Sequence, residues 1–120
     1  MYRVRFYRDR NGEQPAKAYL KALLKKTDKD SRIRARKIQE SINILSQYGT
    51  FIGEPVVKHI EDDLWELRPS RDRVLFVAWH NNGYVLLHAF GKHTQKTPER
   101  EKKRAREEYR DLKERGVDDE

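Results

Sequence analysis

Between positions 73 and 90 the chain reads RVLFVAWHNNGYVLLHAF. Two runs of β-branched, aromatic and aliphatic residues are joined there by Asn81-Asn82-Gly83. Asn-Gly between apolar runs is a strong hairpin signal, because both central positions of a tight primed turn need positive φ, which Asn and Gly tolerate. Two shorter runs of the same character come just before, PVVKHI at 55–60 and LWELR at 64–68. Bounded by turn residues, all four read as short strands. They are expected to form an antiparallel sheet.

The first half has a different period. Tyr2, Val4 and Phe6 alternate with Arg3, Arg5 and Tyr7, the pattern of a half-buried strand, and Asn11-Gly12 ends it. Pro15 suits a first helical turn, and Tyr19, Leu20, Leu23 and Leu24 form a helical stripe. Asp28, Asp30 and Ser31 offer caps for a second helix, in which Ala35, Ile38, Ile42 and Leu45 recur at helical spacing until Gly49. After Phe90, Thr97-Pro98-Glu99 reads as N-cap, first helical residue and an acid suited to the helix dipole. That last helix has a narrow apolar stripe of Ala105, Tyr109 and Leu112, so a loose dock or an outside partner is expected. The fold class is therefore α+β: an N-terminal strand and helical hairpin packed on an antiparallel sheet, with a C-terminal helix. One domain over 1–116 and a frayed tail over 117–120 are expected.

With hydrophobic residues at 36% and charged ones at 39%, the core must be small. The chain has no cysteine, which excludes disulfides and thiolate metal sites. Neither a signal-peptide core nor an apolar run of membrane-spanning length occurs, so a soluble cytoplasmic protein with no membrane role is expected. No Gly-rich phosphate loop, catalytic carboxylate pair or metal-ligand cluster is present, which argues against nucleotide hydrolysis and metalloenzymes.

Charge is concentrated. Residues 17–37 hold nine basic side chains against two acidic ones, an excess equal to the +7 of the whole chain. Lys25, Lys29, Arg32 and Arg36 lie in this field. Such a field favours polyanions, chiefly nucleic acid; the alternative is a pair of solvated helix faces.

Strand parity then sorts the hairpin at 64–79. Trp65 and Leu67 share one face, with Val74, Phe76, Ala78 and Leu87 expected beside them under the helix pair. Glu66, Arg68 and Arg73 share the other, with Lys92 and His93 near its rim and Lys58 and Lys96 extending the positive surface. Arginine forks bind phosphate oxygens, and a carboxylate or imidazole can move protons. The alternative is a cross-strand ion-pair ladder on a solvated face. His59 and His80 read as surface residues and His88 as a packed one.

The segment KHIEDDLWELRPSRDRVLFVAWHNNGYVLLHAFGKHTQKTPERE resembles the phage-derived HigB-like toxins of the RelE/ParE superfamily. Two marks carry the resemblance, which covers residues 56 to 106 specifically. One is the W-E-L-R hairpin followed by R-V. The other is the strand ending F-x-K-x-T-x-K-T-P before a charged helix.

The resemblance implies a RelE/ParE-like α+β toxin of a type II toxin–antitoxin pair that cuts mRNA on the ribosome. It implies no metal and no cofactor: the 2′-hydroxyl beside the scissile bond attacks the phosphate while basic residues stabilise the added charge. By the resemblance Arg73 and Arg68 hold that charge, Glu66 is the candidate general base, and His93 or Lys92 the candidate acid. Glu66 matches the HigB-like members and replaces a lysine of the RelE type; His93 stands where many relatives carry lysine or arginine. Lys58, Lys96, Lys25, Lys29, Arg32 and Arg36 are candidate RNA contacts. The implied partners are the ribosome, mRNA and a helix-turn-helix, HigA-like antitoxin expected on the final helix and the basic helix pair. The alternatives are a ParE-like topoisomerase inhibitor that cleaves nothing and a plain nucleic-acid-binding module.

Overall fold

The computed structural model describes residues 1–117, so all of the expected tail but Val117 lies outside the described residues. Strand β1 (Arg3–Phe6) is followed by helices α1 (Pro15–Lys25) and α2 (Lys29–Tyr48) and a 3₁₀ turn (Gly49–Ile52). Strands β2 (Val57–Glu61), β3 (Leu64–Leu67), β4 (Asp72–Trp79) and β5 (Gly83–Gly91) come next, then helix α3 (Glu99–Arg115). Local chemistry sets the helix limits much as expected. Pro15 opens α1, the Asp28 carboxylate accepts the Ser31 N–H at 2.9 Å to cap α2, and Gly49 ends it at φ 64°.

The sheet runs β1-β5-β4-β3-β2. Strands β2 to β5 pair antiparallel, whereas β1 lies parallel to β5, Arg3 opposite Gly83 and Phe6 opposite Leu86. Gly83 allows that approach: a Cβ there would stand 3.1 Å from the His80 carbonyl oxygen and 3.3 Å from that of Arg3. The β4–β5 turn is one residue earlier than Asn82-Gly83, since Asn81 and Asn82 take the positive φ values and Gly83 starts the strand.

Each face of the sheet has its own core. Under α1 and α2 lie Val57, Leu67, Val74, Phe76, Tyr84, Leu86 and Ala89, packed against Leu20, Leu23, Ala35, Ile38 and Leu45, with Trp65 half-buried at the side. On the opposite face Leu64, Leu75, Val77, Val85, Leu87 and Phe90 pack beneath α3 through Ala105 and Leu112.

Five expectations need correction. Leu87 faces α3 and not the helix pair, because a bulge after Leu75 pairs Leu75 with His88 and Phe76 with Leu86, leaving Leu87 as the extra residue. Ala78 and Leu24 are exposed: Ala78 sits near the end of β4, beyond the helices that cover Phe76, and Leu24 lies outside the buried stripe of Ala16, Leu20 and Leu23. The N-cap of α3 is Pro98, in extended conformation, while the Thr97 hydroxyl is engaged elsewhere. Finally α3 docks firmly. Ala105 and Leu112 are buried, and ion pairs such as Arg106–Glu61 (2.6 Å) make up for its narrow apolar stripe.

Candidate functional site

The β3–β4 hairpin makes its bend over 68–71. Pro69 presets the chain, Ser70 takes φ 56°, and the Asp72 N–H donates to the Pro69 carbonyl at 3.2 Å. Leu67 opposite Val74 is the last ladder pair, so Arg68 and Arg73 emerge just beyond it on the α3 side of the sheet. Two guanidiniums so placed repel, and the next residue pair answers this. Glu66 on β3 sends its Oε1 to within 3.5 Å of Arg68 Nε and 3.8 Å of Arg73 Nε.

This face is not solvated. Glu66 is 2% exposed and Arg73 6%. The reading of an exposed cross-strand ladder therefore does not describe it. Burial lowers the pKa of the Arg73 guanidinium below its ordinary value, and the Arg68 charge adds to the effect. The group still donates through Nη1 to the Ser70 and Asp72 carbonyls, both at 2.8 Å. Arg73 thus holds the bend as well as facing Glu66. The Thr97 hydroxyl closes the cluster from above by donating to Glu66 Oε2 at 2.7 Å.

Glu66, Arg73, Lys92 and His93 line one crevice beneath the 93–98 loop, with room for about 10 Å³. That is the space of a single water at most. Beside it an open groove of about 660 Å³ is lined by Lys58, Glu66, His93 and Lys96 among others. Lys58 stands directly across β2–β3 from Glu66. The structure therefore gathers Glu66, Arg68, Arg73, Lys92, His93, Lys58 and Lys96 in one region. Lys25, Lys29, Arg32 and Arg36 are exposed on the helix pair, on the other side of the sheet. The two groups of candidate residues are not one surface.

The bend and α2 are nevertheless tied together. Arg71, at the tip, donates to Asp30 at 2.8 Å. Deeper, the fully buried Asp72 carboxylate receives Arg34 Nη2 at 2.7 Å, Arg34 Nε at 3.0 Å and the Tyr19 hydroxyl at 2.6 Å. Burial and this carboxylate push the Tyr19 hydroxyl up to about 12. Asp72 immediately precedes Arg73, so this network fixes where the arginine leaves the strand. Sequence reasoning missed it. Its one sign is an acid between two arginines at the start of an apolar strand, and nothing in the chain names Arg34 as its partner.

His88 is the packed histidine expected: burial holds its imidazole below the ordinary value while it bonds Glu101 at 2.6 Å. His59 and His80 are exposed, as read. Among the described residues no three His, Asp or Glu side chains converge as metal ligands, and no helix is long and apolar enough to cross a membrane.

No curated protein matches the chain. The family model described as Phage derived protein Gp49-like matches residues 18–110, from α1 through most of α3. That stretch includes every side chain of the Glu66–Arg73 cluster. The family is associated with toxin–antitoxin pairs and related to the RelE/ParE-like toxins. This chain therefore belongs to the phage-derived Gp49-like family.

Proposed function

We propose that the chain is a HigB-like toxin of a type II pair, an endoribonuclease that cuts mRNA on the ribosome without a metal or other cofactor. The observation that carries this reading is the convergence of Arg68 and Arg73 on the buried Glu66 carboxylate, with Lys92 and His93 lining the same crevice. The 2′-oxygen attacks the neighbouring phosphorus as Glu66 takes its proton. The bond to the 5′-oxygen breaks as His93 or Lys92 supplies a proton to it. A cyclic phosphate and a 5′-hydroxyl result.

In this reading Arg73 and Arg68 bind the pentacoordinate phosphate better than the diester, because it carries more negative charge. Glu66 Oε1 meets both arginines, so a phosphate bound by them displaces a carboxylate contact, while Thr97 holds Oε2. The ribosome supplies the alignment that a shallow site lacks. Lys58 and Lys96 steer the strand along the groove. Lys25, Lys29, Arg32 and Arg36 form a separate basic surface for ribosomal RNA or for an acidic HigA-like antitoxin. The antitoxin reading now favours the helix pair, where Leu24 and Ile33 are exposed among these cations, over the already filled stripe of α3.

The closed crevice is what favours the rival, a ParE-like inhibitor with no chemistry. Mapping mRNA cuts on translating ribosomes separates the two. Arg73→Ala is expected to lower cleavage on the order of 10²–10³-fold, the cost of one preorganised donor. Arg68→Ala should fall in the same direction and Arg71→Ala should cleave nearly normally. Because Arg73 also holds the bend, folded fraction is measured alongside by circular dichroism. Full cleavage by folded Arg73→Ala, or no cuts by the unaltered chain, would end the enzymatic reading.

A further inference from the structure

At the end of the sheet away from the arginine bend, a second groove opens between β1, the β4–β5 turn and the last turns of α3. It has about 970 Å³ of room. Arg3 enters it from β1, Trp79 and His80 from the end of β4, and Tyr109 and Lys113 from α3. Trp79 and His80 rings lie 4.8 Å apart, and Lys113 Nζ stands 4.4 Å over the Tyr109 ring. Among the described residues, which hold 17 of the 20 Asp and Glu, no carboxylate lines the groove.

Its distance from the bend is set by β4. Trp79 lies six residues beyond Arg73 on that strand, roughly 20 Å at the rise of an extended chain. Yet Trp79 packs with the α3-side core, so both sites open on the same layer of the molecule.

We propose that this groove is a second, non-cleaving site for single-stranded nucleic acid. Trp79, with His80 beside it, is the stacking platform for a base, and Arg3 and Lys113 are the phosphate contacts. Cations interleaved with aromatic faces are what a flexible polyanion with flat bases requires, since stacking tolerates every base and the charges track the backbone. An acidic polypeptide would satisfy the cations and leave the ring faces unused. The inference does not depend on cleavage at Arg73.

The full chain carries two tryptophans, so Trp65→Phe leaves Trp79 as the reporter. A uridine octanucleotide is expected to quench its fluorescence, with affinity falling as salt rises by a log–log slope of about −0.7 per phosphate contacted. Arg3→Glu with Lys113→Glu, both exposed positions, should weaken binding at least about tenfold while leaving the far-ultraviolet spectrum unchanged. Trp79→Leu, followed by labelled RNA, should weaken it by about five- to a hundredfold. Comparable binding of oligothymidine supports a site for either single strand. Absence of quenching, normal binding by the folded double charge variant, or equal quenching by polyglutamate would overturn the proposal. The readout is binding alone, so it fails or succeeds separately from RNA cutting.

Discussion

The two faces of the sheet are built on opposite principles. The face under α1 and α2 is apolar from Val57 to Ala89 save for the buried Asp72 at the bend end, held by Arg34 and Tyr19, and its stability is carried mainly by transfer and close packing. The face under α3 has an apolar centre ringed by Glu66, Arg73, His88 and Glu108, all buried, each facing a partner: Glu66 the two arginines, His88 Glu101, and Glu108 Arg104. Helix α3 has too few apolar residues to seal its side by packing alone, so ion pairs and hydrogen bonds complete the seal. The consequence is functional as well as structural. The buried charge on the helix-pair face is confined to Asp72, locked by Arg34 and Tyr19, whereas the α3 face gathers two guanidiniums around one carboxylate.

Substitutions can break or sharpen that contrast. Phe76→Ala, in the middle of the apolar face and fully buried, should cost about 3–5 kcal/mol in urea unfolding by leaving a cavity. On the α3 face the largest effect should have the opposite sign. Burial pushes the Glu108 carboxyl up to about 8 from 4.5, with Asp9 and Glu107 adding to it and Arg104 opposing. The folded state binds this proton more tightly than the unfolded chain does. Stability from Glu108 is thus fully present below about pH 4.5 and is lost as pH rises to about 8, at up to about 1.4 kcal/mol per unit. Glu108→Gln should be more stable than the unaltered protein at pH 8, with the difference vanishing at pH 4. Equal pH profiles for the two proteins would show that Glu108 ionises without cost.

Glu66→Gln tests charge matching directly. It keeps the shape and the Thr97 bond but leaves Arg68 and Arg73 facing each other, and should cost about 1–3 kcal/mol. No loss would mean that the arginines are compensated elsewhere. The smallest effect is expected at Arg71→Ala. Its partner Asp30 is exposed like itself, so melting should shift by no more than about 1 kcal/mol in free energy.

Much of this was legible in the chain. Strand parity separated Glu66, Arg68 and Arg73 from Leu67, Val74 and Phe76, because side chains alternate whatever the strand packs against. Parity failed where the ladder slipped: the bulge turned Leu87 to the α3 side, and a bulge leaves no mark in an apolar run such as YVLLHAF. The helix-dipole rule placed acids correctly in the first turn of α3, yet Thr97, the natural cap, chose Glu66. The partnership of Asp72 with Arg34 and Tyr19 spans 38 and 53 residues, beyond any periodic signal.

What the sequence by itself determined is local. Turn residues, helix caps and the two periods of hydrophobicity laid down the elements and their order, because each depends on neighbours within a few positions. Only the tertiary structure decided that β1 lies parallel to β5, that α3 covers the charged face, and that Lys25, Lys29, Arg32 and Arg36 stand apart from Arg73. Those outcomes depend on which distant surfaces exclude water together. Burial also changes the chemistry of the groups concerned: Glu66 and Arg73 read in the chain as surface charges and are, in the fold, a buried pair.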